Sequence, residues 1–305
     1  MASPLDHSSP SSDPISATEV FEPARLTSPL VFASPHSGAH YPRAFVAESC
    51  LELATLRRSE DCYVDELFSE APKFGAPLLR ALYPRAYLDV NREAYELDPE
   101  MFDEPLPRHV NTTSVRVLAG LGTIARIVAT RREIYRRKLS FAEAEQRIET
   151  VYKPYHQALS SLIGRARRQF GFCILIDCHS MPSTGLPLDS HLKDLDIVLG
   201  DRLGFSCSPR VTEAAEGFLG QVNYHVVRNN PYAGGYTTQH YGDPANGIHA
   251  LQIEINRALY MDEASLERRA RFKALKADLT TFIGQMAAFA ALESDALQYT
   301  RLSAE

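Results

Sequence analysis

The feature that most constrains this chain is the run Phe172-Cys-Ile-Leu-Ile-Asp177, which is apolar almost throughout and then turns polar through Cys178, His179 and Ser180. A short unbroken apolar run reads as a strand buried on both faces, the kind found inside a parallel sheet. Ionisable side chains against such a strand are costly to desolvate, so Asp177 and His179 point to a functional site rather than to packing. Residues 30–34 (LVFAS), 86–90 (AYLDV), 195–199 (LDIVL) and 249–255 (HALQIEI) also read as strands. Helical spacing appears between them. Over residues 51–71 it is carried by Leu53, Leu56, Val64, Leu67 and Phe68, with a break near Ser59. Ser140 and Glu143 form a capping-box pattern ahead of a long helix over roughly 140–170, which Pro154 should kink or split. A further helix is expected from Asp262, as N-cap, to about Leu292. Residues 98–120, rich in proline, read as an extended loop. Strands alternating with helices predict an α/β fold: a single domain with a mixed, mostly parallel sheet and helices on both faces.

A chain of 305 residues with 45% hydrophobic and 23% charged residues can bury a sizeable core as one domain. A formal net charge of −6 argues against a nucleic-acid partner. Five cysteines (Cys50, Cys62, Cys173, Cys178 and Cys207) without a CxxC pair predict reduced thiols in a cytoplasmic protein. The opening MASPLDHSSPSSDPIS lacks the basic start and apolar stretch of a secretory signal. Residues 1–22 are expected to be a flexible arm and 23–305 the folded domain. No run is long enough to span a membrane.

In open α/β sheets, ligands bind beyond the C-terminal ends of strands, and there the sequence gathers its unusual polar residues. His36 follows the 30–34 strand, where a neutral imidazole can ligate zinc; a lone histidine is more often an ordinary surface or core residue, and His40 competes for the role. His179 and Asp177 lie two apart on a strand and share a face, so the aspartate can support the imidazole; the bland alternative is a helix start at Ser180. An open catalytic zinc site needs a third ligand, often a carboxylate. Glu60, Asp61 and Asp65 supply candidates, one of which can instead hold Arg57 or Arg58; an acidic helix start would look the same. Glu254, between two isoleucines, suits general-base work if it faces a pocket; Asn256 shares its face, which also fits an edge strand open to solvent. Asn91 and Arg92 can clamp a carboxylate, or Arg92 can pair with Asp89 or Glu93. Residues 229–242 (NNPYAGGYTTQHYG) have the composition of a loop that closes over a small ligand, or of a plain connector. Cys178 and His179 are strand neighbours facing opposite ways, and there is no GxSxG elbow, so a cysteine or serine hydrolase is disfavoured.

Seven stretches, in order along residues 30–263, resemble the N-formylglutamate amidohydrolase family: SPHSGAHYP, RRSEDCYVDELF, YPRAYLDVNRE, GLGTIAR, LIDCHSMPS, NNPYAGGYTTQHYG and HALQIEINRALYMDE. The resemblance implies a fold like that of the zinc carboxypeptidases and aspartoacylase, one zinc ion, and metal-dependent hydrolysis of N-formyl-L-glutamate to formate and L-glutamate, a step of histidine catabolism. It implies His36 and His179 as ligands, Asn91–Arg92 as the carboxylate clamp and Glu254 as the base. The carboxypeptidase-like HxxE pattern has Ala39 where its glutamate would stand, so the third ligand comes from elsewhere; Asp61 is chosen, with Glu60 and Asp65 as alternatives. Arg126, in GLGTIAR, is the candidate for an oxyanion cation or second substrate anchor. A deacylase or exopeptidase for another N-acyl amino acid shares this chemistry; a non-catalytic carboxylate-binding protein of the same fold is the remaining reading.

Overall fold

The computed structural model describes residues 15–128, 131–184 and 195–302, with only the backbone described over 295–302. Its strands are β1 (Thr18–Phe21), β2 (Leu30–Ser34), β3 (Leu78–Ala81), β4 (Cys173–Met181), β5 (Ile197–Gly200), β6 (Val226–Arg228) and β7 (Ile248–Asn256). They form one seven-stranded sheet in the order β1-β3-β2-β4-β7-β5-β6. β2, β4 and β7 pair in parallel, as do β5 and β6, while β5 runs antiparallel to β7. The helices are α1 (Arg43–Glu48), α2 (Leu53–Arg57), α3 (Val64–Leu67), α4 (Val115–Leu118), α5 (Phe141–Arg147), α6 (Lys153–Phe170), α7 (Pro209–Gln221), α8 (Tyr236–Tyr241) and α9 (Phe272–Leu302). Among the described residues no helix is long and apolar enough to cross a membrane.

The chain gathers into two compact units, each assembled from separate stretches of sequence. One holds Pro35–Glu60 and Arg80–Gln157 with the described residues up to Glu19; the other holds Val20–Ser34, Asp61–Leu79 and the chain from Ala158 onward. The first unit is mostly irregular. Tyr41, Phe45, Leu51, Leu56, Val128 and Ile134 make one of its apolar clusters. Arg147 is buried there with its guanidinium carbon 4.3 Å from the Tyr87 ring centroid, donating to the Tyr87 carbonyl and the Tyr135 hydroxyl. The second unit holds the long strands. All nine residues of β4 are buried, as an interior parallel strand requires. Leu30, Phe32, Ile174, Ile176, Cys178, Leu251, Ile253 and Ile255 form one apolar face, covered by residues of α3, α7 and α9. On the opposite face, Gly235 at the start of α8 meets the side chain of Gln252 on β7. The α/β class, the mixed sheet and helices on both of its faces are as expected.

Several expected elements shift, for local reasons. Residues 86–90 are not a strand: the amides of Tyr87 and Leu88 turn back onto the Pro84 carbonyl, and the strand is the preceding LLRA, β3. The 51–71 segment breaks where expected, but into two short helices; Tyr63, at φ 66°, precedes the second. The Ser140–Glu143 capping box is present. Ahead of Pro154, residues Ile148–Tyr152 take a π-helical turn between α5 and α6. Proline has no N–H to give the carbonyl one α-turn back, and a π register moves that bond on by one residue. Asp262 caps only a local turn, accepting from the amides of Ala264 and Ser265, so the last helix starts at Phe272. β1 occupies Thr18–Phe21, so the expected arm of residues 1–22 ends in the sheet; residues 1–14 lie outside the described residues.

Candidate active site

β4 and β7 place four polar side chains side by side. In their parallel register Asp177 stands opposite Gln252 and His179 opposite Glu254. Partners in register share a face, so these four form a square pointing away from the apolar core. Their exposures run only from 0% to 8%. Asp177 approaches His179 Nε2 with Oδ2 at 3.0 Å, the contact of an ion pair rather than of an aligned hydrogen bond. Gln252 Nε2 donates to Glu254 Oε1 at 2.9 Å, and its Oε1 accepts from the Gly235 amide at 2.7 Å. Asn256, the next residue on that face, accepts from the Ala258 amide and donates to the Leu195 carbonyl; its polarity is structural.

Asp61 reaches this square from the turn before α3. Its Oδ2 lies 3.1 Å from His179 Nδ1, and its Oδ1 accepts from Arg257 Nη2 at 2.7 Å. Arg257 Nε donates to Ser180 Oγ at 3.1 Å. Burial would lower the basicity of this guanidinium, but Asp61 outweighs it and holds the charge. Burial likewise disfavours the His179 imidazolium, yet the carboxylates of Asp177, Asp61 and Glu254 overcome it and hold the imidazole pKa well above its ordinary value. Glu60 and Glu66 of the RRSEDCYVDELF segment have partners of their own, Glu66 accepting from Arg268 Nη2. Glu60 accepts from the Tyr41 hydroxyl at 2.8 Å and from Arg57 Nε at 3.2 Å. Asp65 is buried within α3. The arginine beside Asp61 is therefore Arg257, distant in sequence, while Arg57 belongs to Glu60.

His36 Nε2 lies 2.7 Å from Asp89 Oδ1. Asp89 also accepts from the Asn91 amide at 2.9 Å and from Arg85 Nη2 at 2.8 Å, with Arg92 Nη2 3.5 Å away. Burial pushes the Asp89 pKa up, but Arg85, Arg92 and His36 prevail and hold it well below the carboxylate range. Arg92 is itself buried, which lowers its pKa to about 10, still charged at neutral pH. Its Nε and Nη1 donate to the carbonyls of Leu121 and Asn91, so backbone and Asp89 together fix the guanidinium. Asn91 is buried beside it. Arg126 donates to Asp98 at 2.8 Å and to Glu133 at 3.3 Å; two carboxylates already hold its charge. His40 packs edge-on against Tyr83.

His36, Asp61 and His179, all buried, each offer a ligand atom, and these atoms lie within 4.8 Å of one another, a grouping able to hold a metal ion. Cys178 points into the apolar core with its thiol pKa pushed up by burial, which leaves it no nucleophilic part. Sequence reasoning missed Gln252, Arg257, Arg85 and the bridging role of Asp89. Gln252 had a signal, being polar and two residues from Glu254 on a buried strand; Arg257 had none, because its partner lies across the fold.

The family model for N-formylglutamate amidohydrolase matches residues 28–261. The chain is 31% identical over 248 residues to N-formylglutamate deformylase of Pseudomonas putida, covering 80% of this chain and 85% of the relative. It is 30% identical over 250 residues to the Pseudomonas aeruginosa protein of the same name, covering 80% and 86%. Its fold matches the crystal structure of N-formylglutamate amidohydrolase from Ralstonia eutropha JMP134 with a TM-score of 0.84 and 35% identity, over 90% of this chain and 99% of that one. The gene product Atu2144 from Agrobacterium tumefaciens shares the fold, at TM-score 0.64 and 18% identity over 90% of this chain and 95% of that one.

Proposed function

This chain belongs to the N-formylglutamate amidohydrolase family, and from that membership we propose that it hydrolyses the formamide bond of N-formyl-L-glutamate to formate and L-glutamate, with one zinc ion held by His36, Asp61 and His179. The observation that carries the proposal is the buried grouping of those three side chains. Its donor set, two imidazoles and one carboxylate, is the kind that binds zinc with a position left for substrate or water. Two ligands about 2.0–2.1 Å from one tetrahedral ion stand about 3.3 Å apart, close to the 3.1 Å between His179 Nδ1 and Asp61 Oδ2. Each histidine turns its Nε2 to a buried carboxylate, Asp89 or Asp177, as metal-ligating imidazoles commonly do, so that Nδ1 of each would be the atom to hold the metal.

A bound divalent ion would supply Lewis-acid polarisation of the formyl oxygen and a more acidic water. Glu254, beside His179 in register, takes a proton from the attacking water and later gives one to the departing amine. Asn91 and Arg92 hold a substrate carboxylate, Arg92 as a buried cation fixed by Asp89 and two carbonyls. A dianionic substrate calls for a second cation. We assign that role to Arg126, which would exchange its longer and more exposed ion pair, with Glu133, for the substrate while keeping Asp98. The decisive assay is formate release from N-formyl-L-glutamate by purified protein, before and after chelation. Release that disappears with the metal and returns on adding zinc is the expected result. A folded, zinc-loaded protein that releases no formate would remove the substrate assignment, and a preference for longer acyl groups would replace it with a deacylase.

A further inference from the structure

Gln252 has no part in the chemistry just described, yet it is 4% exposed and both ends of its amide are used. The orientation of that amide is fixed by its partners. A backbone N–H can only donate, so the Gly235 amide requires the oxygen of Gln252, and the NH2 group is thereby turned to Glu254. Glu254 Oε1 must then accept, a role that an ionised carboxylate fills well. Gly235 is able to come so close because the opposing residue on β5 has no side chain. Gly200 is the register partner of Gln252. A Cβ at Gly200 would lie 2.8 Å from the Ala233 carbonyl carbon and the Gly234 nitrogen. The loop lies against the sheet at this place and hands one N–H to Gln252. The arrangement repeats that of the next strand. On β4, Asp177 sits two residues before His179 and holds its ring; on β7, Gln252 sits two residues before Glu254 and holds its carboxylate.

We propose that Gln252 is the positioning residue of Glu254: it fixes Oε1, and with it the plane of the carboxylate, and ties the orientation of the base to the seating of the Gly234–Gly235 loop. The proposal rests on the reading of Glu254 as the base. Its test compares three variants of the zinc-loaded enzyme at mildly alkaline pH, with kcat, KM, bound zinc and Tm measured for each. Gln252→Met removes donor and acceptor at similar size. Gln252→Glu keeps an acceptor for the Gly235 amide but places a carboxylate where the donor stood. Glu254→Gln tests the base itself. We expect kcat to fall about 10–100-fold in both Gln252 variants, as on losing a group that orients a functional side chain, with KM within about threefold of wild type and zinc at one equivalent. Near wild-type kcat in Gln252→Glu would overturn the proposal, since it would leave Gln252 only the anchoring of the loop; that variant decides the matter even where Gln252→Met fails to fold. An active Glu254→Gln would instead sink the base reading, and a silent Glu254→Gln with fully active Gln252 variants would sink the positioning role alone.

Discussion

On one face of β4 and β7, Ile174, Ile176, Cys178, Leu251, Ile253 and Ile255 are buried among residues of α3, α7 and α9. On the other, Asp177, His179, Gln252 and Glu254 are buried almost as deeply, yet each meets a charged or hydrogen-bonding partner. The two faces use the same strands and the same register, and only the parity of the residue number separates them. The apolar face gains stability from area and close packing, which are non-directional. The polar face must match every buried group to a partner, because an unmatched one costs roughly 1–3 kcal/mol. Damage to the first should therefore appear as lost stability, and damage to the second as lost function.

The largest effect should come from Glu254→Gln, with turnover falling about 10²–10⁴-fold while the protein folds and binds one zinc; metal analysis beside steady-state kinetics checks both halves. Ile253→Ala, one residue away on the opposite face, should do the reverse. A cavity at a fully buried isoleucine costs about 2–5 kcal/mol, read as a lower denaturation midpoint, while kcat per folded molecule stays within about twofold. A large loss of kcat in that variant at full folding would break the division between the faces. Asp177→Asn should weaken zinc binding about 10–100-fold, seen by competition with a chelating dye, because the carboxylate that orients His179 is gone. The smallest effect lies away from both faces, at the capping box of α5. There Arg137, with the Ser140 amide, brings the Glu143 pKa down to about 2. A depressed folded pKa adds stability above the ordinary carboxyl range, and that stability is lost as pH falls from about 4.5 towards 2. The pair is partly solvent-exposed, so screening holds the contribution to about 1 kcal/mol or less. Comparing the acid denaturation of wild type and Glu143→Gln measures it.

The polar face was legible in the sequence where local rules apply. Asp177 and His179 are two apart on an apolar run, and that spacing puts them together; the same rule pairs Gln252 with Glu254. It was illegible where the partner is remote. Nothing near Asp61 announces Arg257, so Arg57 and Arg58 looked like its natural counterions, and Arg57 in fact holds Glu60. The AYLDV run has strand composition, but Pro84 turns the chain just before it and gives the strand to LLRA. Asp262 has the residue type of a helix cap, and it caps a turn ten residues short of the helix. In each case composition was right about the local bond and silent about what lay beyond it.

β2 pairs with β4 in a register that sets Leu30 against Ile174, a separation of about 140 residues. At synthesis rates of ~5–20 residues per second, a strand buried along its whole length waits roughly 7–30 s for its neighbour to be made. During that time LVFAS is an apolar, uncharged segment with the edge that faces β4 unpaired, of the kind that joins other chains edge to edge. The sheet that builds the polar square thus imposes a delay at birth, and the yield of folded protein should depend on what shields that one segment until β4 is complete.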